Sequence, residues 1–191
     1  IYTLSLHDAL PIYGQLTSNV GISNNENWRK KHLRTIEQNY RKAPYFSEVF
    51  GLLERIYLVK DWDMLTQFNL ALLNEIAQYL GIETRAVVSS ELNTNGTSTD
   101  LLVDIVKQVG GDSYLSGSGG NKYQDEKLFE NSDIKLQYSD FTTKEYPQLW
   151  GSEFTSGLSI IDLVMNCGRG SMQWILDRKS TRLNSSHGII S

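Results

Sequence analysis

The stretch 113–138, SYLSGSGGNKYQDEKLFENSDIKLQY, decides the fold. It holds two short strand-like runs, 113–116 and 134–138, and between them the segment 125–130 has the composition of a helix. A strand, a helix and a second strand at this spacing are typical of a parallel βαβ unit, because a parallel connection needs a crossover of about a dozen residues. The stretch therefore predicts a parallel sheet in the second half of the chain.

A further strand and helix are predicted just upstream of this stretch. The run 85–89, RAVVS, is rich in β-branched residues and is followed by a polar turn. Ser98 or Thr99 can then cap a helix, which Gly110 and its neighbouring glycine would end. Strand, helix, strand, helix, strand in this order predicts a small parallel βαβαβ unit.

The first half of the chain has the periodicity of helices. Apolar side chains recur at helical spacing over Trp28–Tyr40, over 44–57 and over 63–80, and Gly81 offers a left-handed end to the third segment. A last helix is predicted over 158–166. The predicted fold class is α/β, with a helical first half followed by the small parallel unit.

Both ends of the chain are interpreted as translated sequencing adapter. Residues 2–12 match the translation of a common short-read library adapter. The codons GCTCTTCCGATC, which encode residues 9–12, are the reverse complement of GATCGGAAGAGC, which encodes residues 177–180. Two unrelated termini have no reason to share this relation. We therefore predict adapter over 1–12 and 177–191, and one protein domain over 13–176.

Composition excludes several classes of function. The chain carries 18 basic and 22 acidic residues, a net charge of −4, which argues against a nucleic-acid-binding surface. No apolar run approaches the roughly 20 residues that span a bilayer, so we expect no membrane span. Cys167 is the only cysteine, which excludes an intrachain disulfide and fits a cytoplasmic protein. Only His32 remains between the two ends, so no metal site is predicted.

The glycine-rich loop after residue 116 is the first candidate ligand site. It lies between a predicted strand and a predicted helix, where open α/β sheets bind ligands. Glycines let backbone N–H groups approach an anion, and serine or lysine side chains add donors. The spacing matches neither a dinucleotide fingerprint nor a P-loop, so a plain turn is an equally good interpretation. The candidate ligand-binding residues here are Ser116, Gly117, Ser118, Gly119, Gly120 and Tyr123.

Three further polar residues are candidates for ligand contact. Tyr146 and Gln148 lie in a polar aromatic turn, although packing of Tyr146 against the edge of the sheet is the slightly better interpretation. Asp162 interrupts an apolar run, where a carboxylate needs a partner or a function unless that side of its helix faces water. The basic run Arg29-Lys30-Lys31-His32 is better explained as a solvated helix face. The catalytic residues and any cofactor cannot be named from the sequence.

The order and spacing of these segments resemble the WbqC-like protein family. The resemblance covers essentially all of residues 13–168. The segments that carry it are Asn27-Trp-Arg-Lys-Lys-His32, Tyr40-Arg-Lys-Ala-Pro-Tyr-Phe46, Ser89-Ser-Glu-Leu92, Tyr114-Leu-Ser-Gly-Ser-Gly-Gly120, Tyr146-Pro-Gln148, Leu158-Ser-Ile-Ile-Asp162 and Asn166-Cys-Gly168.

This resemblance implies a bacterial protein encoded among surface-polysaccharide, lipopolysaccharide or O-antigen genes. Some such proteins are labelled transferases, including glycine transferase. The family normally opens with a strand that carries a His-Gln-Pro-x-Tyr-x-Pro motif, which this chain does not contain. We therefore expect an N-terminally truncated fragment whose parallel sheet lacks its first strand.

The leading hypothesis is a cytoplasmic transferase that takes an activated amino acid or a sugar nucleotide as donor. An alternative is a non-catalytic protein that docks on a glycosyltransferase partner through aromatic residues of the first helices, although helix packing explains those residues as well. A third is an inactive fragment, because a missing strand leaves an unpaired sheet edge.

Overall fold

A computed structural model describes residues 16–24, 27–117, 119–151 and 153–176. The helices are α1 (Trp28–Tyr40), α2 (Phe46–Leu58), α3 (Leu65–Tyr79), α4 (Ser98–Gln108), α5 (Glu126–Glu130), α6 (Ile160–Cys167) and α7 (Met172–Ile175), and the strands are β1 (Ser113–Ser116) and β2 (Lys135–Tyr138). The chain divides into two compact units. The first contains the described residues up to Ile82 together with Thr143–Ile175, and the second contains Glu83–Thr142.

The first unit is helical, and the sequence periodicity explains its three long helices. α1 has the predicted bounds, and α2 and α3 each begin two residues later than expected. Gly81, two residues after the last residue of α3, has φ +71° and terminates the helix. This conformation allows the amide of Ile82 to donate to the carbonyl of Ala77 at 2.8 Å. The α/β fold class is thus confirmed in its helical part.

The core of the first unit is built largely from α2, which buries Val49, Leu53 and Ile56. Aromatic rings from neighbouring segments surround Phe68 of α3, with Trp28, Tyr57 and Trp62 all within 6 Å of it between ring centroids. Edge-to-face contacts of this kind add about 0.5–1.5 kcal/mol each beyond burial. The aromatic residues of the first helices therefore serve mainly as packing.

The second unit contains the small parallel sheet. β1 pairs with β2 in parallel, with Ser113 opposite Lys135 and Ser116 opposite Tyr138. The short helix α5 connects the two strands, and its Phe129 is fully buried against Tyr114 of β1, with ring centroids 5.3 Å apart. The predicted parallel βαβ arrangement of 113–138 is confirmed.

The prediction of a strand over 85–89 was wrong. In the structure only Val88 forms a β-bridge, and Ser89–Glu91 is a 3-10 turn, so the described part of the sheet has two strands rather than three. Burial is uneven along this run, because residues 83–86 are exposed whereas 87–89 are half-buried. A strand is stabilised by packing on its faces, and the first residues of this run have little of that packing.

Helix α6 inserts into the core of the first unit and ends at a glycine whose backbone conformation and close packing disfavour any other residue. Gly168 has φ +58° and ψ −144°, a conformation outside the left-handed helical region that other residues reach. A Cβ at this position would overlap the ring of Tyr45, whose amide donates to the carbonyl of Met165 at 3.1 Å.

Two glycine-to-alanine substitutions should therefore change stability in opposite directions. Gly168→Ala should lower the free energy of unfolding by about 3 kcal/mol, because it combines backbone strain with steric overlap. Gly51→Ala, inside α2 where a Cβ meets nothing within 4 Å, should raise it by about 0.5–1 kcal/mol. Urea denaturation followed by circular dichroism measures both. A neutral Gly168→Ala would contradict this packing of α6.

Candidate functional site

The candidate site of the first unit is centred on Asp162 in the first turn of α6. The hydroxyl of Ser159 caps this helix by accepting from the amide of Ile161 at 3.3 Å. The following residues Leu163, Val164 and Met165 are buried, and they carry Asp162 into the core with only 5% of its surface exposed. A buried carboxylate is unstable without hydrogen-bond donors, so its surroundings decide what it can do.

Neutral donors surround the Asp162 carboxylate. The Tyr146 hydroxyl donates to Oδ2 at 2.8 Å, and the Gln148 amide nitrogen donates to the same oxygen at 3.2 Å. The Tyr40 phenol at the end of α1 is near enough to Asp162 that, after burial, the carboxylate further raises its pKa. No lysine or arginine in the described part of the chain forms an ion pair with this carboxylate. Within the described part of the chain, the carboxylate is therefore held by neutral hydrogen-bond donors rather than by an ion pair.

Gln148 and Tyr146, together with neighbouring aromatic residues, also hold the segment before α6 in place. Gln148 donates to the carbonyl of Thr155 at 2.9 Å and accepts from the Thr155 amide at 2.9 Å. The Trp150 indole donates to the carbonyl of Asn39 at 2.7 Å, and Phe154 packs edge-on against Tyr146. These bonds hold a stretch without regular secondary structure, so the Asp162 cluster also has a structural role.

Burial and the Asp162 charge change the acidity of the neighbouring groups. Burial raises the pKa of Tyr146 to about 12, the Gln148 contact opposes the rise, and the hydrogen bond and charge of Asp162 add to it. Burial, followed by the Asp162 charge, also raises the pKa of Tyr40. The pKa of the Cys167 thiol rises for the same two reasons. Both phenols therefore remain protonated as donors, and Cys167 is a poor nucleophile.

The glycine-rich loop lies in the second unit and is only partly open to a ligand. The Ser116 hydroxyl is buried and donates to the carbonyl of Gly117 at 3.2 Å. A Cβ on Gly120 would overlap Ser116 Oγ, whereas Gly117 and Gly119 have open space beside them. Tyr123 is 72% exposed. Ser118 lies outside the described residues.

The helix that follows the loop is already capped. Asp125 Oδ1 accepts from the amides of Lys127 at 3.0 Å and Leu128 at 3.4 Å, at the start of the short α5. These amides are therefore satisfied by a carboxylate of the chain itself. Support for an anion at the loop comes from its glycines and Lys122, and ligand binding there stays a prediction.

The structure brings together some of the predicted residues and separates others. Tyr146, Gln148 and Asp162 form one hydrogen-bonded cluster in the first unit, and the loop residues belong to the second unit. Sequence reasoning missed Tyr40 as a partner of Asp162, because 122 positions separate them and no local pattern relates the two. It also missed Asn166, whose side chain donates to the Asp162 carbonyl at 2.8 Å and whose i, i+4 spacing is visible in the sequence.

Neither His32 nor a metal-ligating cluster forms a further candidate site in the described part of the chain. His32 packs edge-on against Trp28 and Tyr57, with ring centroids 5.3 and 6.2 Å away. Within the described ranges, no cluster of histidine, cysteine, aspartate and glutamate has the geometry of a metal site. No helix of the same ranges is long and apolar enough to cross a membrane.

Residues 5–174 match the WbqC-like protein family. The chain belongs to this family. The match overlaps residues 5–12, which we interpret as adapter, and that interpretation stays a prediction. The chain is 36% identical over 142 residues to the uncharacterized protein Rv1507c of Mycobacterium tuberculosis, a match that covers 74% of the chain and 61% of the relative. The chain thus spans about three fifths of that relative's length. No solved structure matches it.

Tyr146 should make the stability of the protein dependent on pH in the alkaline range. The phenol titrates near 10 in an unfolded chain and near 12 in the folded protein, so its contribution is complete below about pH 10 and is lost as the pH rises toward 12. Tyr146→Phe should therefore lose less stability between these values than the parent protein. At neutral pH it should be less stable by about 1–3 kcal/mol, because a donor to a buried carboxylate is gone.

Urea unfolding at a series of pH values measures this difference. Tyr45→Phe is the matched control, because Tyr45 lies in the same unit and is 41% exposed. Identical alkaline profiles for the Tyr146→Phe and parent proteins would contradict the assigned hydrogen bond.

Proposed function

We propose that this protein is a cytoplasmic transferase in bacterial surface-polysaccharide assembly, acting on a phosphate-activated donor such as a sugar nucleotide or an activated amino acid. Membership of the WbqC-like family supports the biological setting, because the resemblance to that family implies surface-polysaccharide genes. The observation that carries the proposal is the Asp162 cluster, in which several neutral donors converge on one buried carboxylate.

The chemistry of group transfer fits such a carboxylate. An acceptor hydroxyl or amine forms the new bond, the bond between the transferred group and its activating phosphate breaks, and a base takes the acceptor proton. Among the described residues, no lysine or arginine forms an ion pair with Asp162. Tyr146 and Gln148 hold it in one orientation, which a proton transfer at hydrogen-bond distance requires.

The glycine-rich loop is the proposed contact for the anionic part of the donor. Gly117 and Gly119 leave space for a ligand beside the backbone, and Lys122 adds a positive charge. The docking-protein alternative has less support, because Tyr57 and Trp62 are buried and Trp28 and Phe46 pack against the core.

Asp162→Asn tests the proposed base with little change in shape. Asparagine keeps an acceptor for Tyr146 but cannot take a proton, so turnover of a responsive donor should fall by about 10²-fold or more. The assay uses a panel of sugar nucleotides and aminoacyl adenylates, with thermal unfolding measured in parallel. Asp63→Asn, an exposed carboxylate of the same unit, is the control. Equal turnover by both variants would show that Asp162 is only structural.

Gly119→Val tests the loop without disturbing the fold. A side chain at Gly119 enters open space, whereas one at Gly120 would collide with Ser116 and Gln124 and so confuse packing with binding. Gly119→Val should weaken donor binding by about tenfold or more, because the new side chain occupies the space the anion would use. Calorimetry measures the affinity, with Gly51→Ala as a glycine control away from the loop. Unchanged affinity in Gly119→Val would refute the loop assignment.

A further inference from the structure

A cavity in the first unit lies where the start of α1 meets the end of α2. Its volume is about 280 Å³, and it is lined by Asn27, Arg29, Lys30, Leu58, Lys60 and Asp61. This volume is just below the roughly 300–1,000 Å³ of typical small-molecule sites, so it suits a small group rather than a whole cofactor. The cavity contains none of the residues of the Asp162 cluster or the glycine-rich loop.

The charges around this cavity are mostly positive. Three cationic side chains line it against a single carboxylate, in a chain whose net charge is −4. The carboxylate, Asp61, is paired with Arg29. Lys30 forms no ion pair with any described residue, and the Lys60 ammonium lies over the ring of Trp62, 4.4 Å from its centroid. Among the described residues, Lys30 and Lys60 therefore have no anionic partner.

The cavity is also partly preorganised. The Arg29 side chain is only 20% exposed, and it donates to the carbonyl of Lys60 at 2.9 Å as well as to Asp61. These two bonds fix the guanidinium, which still has donors for a further acceptor because arginine carries five N–H groups. Asn27 caps α1 without a side-chain hydrogen bond, and the first turn of α1 has no acidic residue. The positive end of the helix dipole therefore adds to the charge of the side chains.

We infer that this cavity binds the phosphate group of a small phosphorylated ligand, with Lys30, Lys60 and Arg29 as its contacts. Phosphate supplies the negative charge that would pair with Lys30 and Lys60. Arginine donates to phosphate oxygens through its planar fork. The inference concerns this cavity alone and does not depend on the proposed transferase reaction.

Isothermal titration calorimetry of the full chain with inorganic pyrophosphate tests the inference. The parent protein should bind pyrophosphate, and Lys30→Glu and Lys60→Glu should each weaken binding by about tenfold or more, since each replaces an attraction with a repulsion. Lys60→Arg keeps the charge and should stay within about threefold of the parent. Lys42→Glu, an exposed lysine of the same unit outside the cavity, makes the same charge change and should have little effect.

Two results would overturn the inference. One is no binding of pyrophosphate by the parent protein at millimolar concentration. The other is equal affinity in Lys30→Glu, Lys60→Glu and Lys42→Glu. Gly119→Val separates this site from the glycine-rich loop: it should keep full affinity for pyrophosphate. If Gly119→Val alone lost binding, the phosphate would belong to the loop, which would support the proposed function and refute the cavity.

Discussion

The burial of the Asp162 carboxylate is the constraint on which the first unit depends. α6 must bury Leu163, Val164 and Met165 to complete the core, and the same insertion removes Asp162 from water. The cost of desolvating a charged group is several kcal/mol, so donors must come from elsewhere in the chain. Tyr146 and Gln148 supply them, and these two side chains attach the irregular segment before α6 to the buried carboxylate.

The two units are stabilised in different ways. The first has a broad core of helix-borne aliphatic residues and aromatic rings around Phe68. The second has four buried apolar residues in its cluster, Val103, Val106, Phe129 and Ile134, and strands of four residues each. A two-stranded sheet exposes hydrogen-bonding groups along both edges, which strand addition or a covering segment normally satisfies. The smaller apolar core of the second unit therefore makes that unit less tolerant of destabilising substitutions.

Local sequence patterns predicted the features that depend on a few neighbouring residues, such as helix bounds. The helical spacing over Trp28–Tyr40 and the glycine stop at Gly81 act within a few residues, and the structure confirms them. The run 85–89 has strand composition, but pairing depends on burial that composition does not report, and there the prediction of a full strand was wrong. Tyr146, Gln148 and Asp162 were singled out as separate residues, and their convergence on one oxygen depends on tertiary structure. Arg29 was interpreted as part of a solvated helix face because its partners, Lys60 and Asp61, are distant in sequence.

Helix α1 relates the two polar features of the first unit. Its first turn provides Arg29 and Lys30 to the cationic cavity, and its last residue, Tyr40, contacts Asp162. A helix of 13 residues is about 20 Å long, so the cavity and the carboxylate lie at opposite ends of a rigid rod. In group transfer the leaving phosphate is bonded directly to the transferred group, and a base that acts on the acceptor must lie beside that bond. A phosphate in the cavity therefore cannot be the leaving group of a reaction in which Asp162 is the base. If both proposals hold, the cavity binds a phosphate other than the leaving one, such as a distant phosphate that anchors a long ligand at the start of α1.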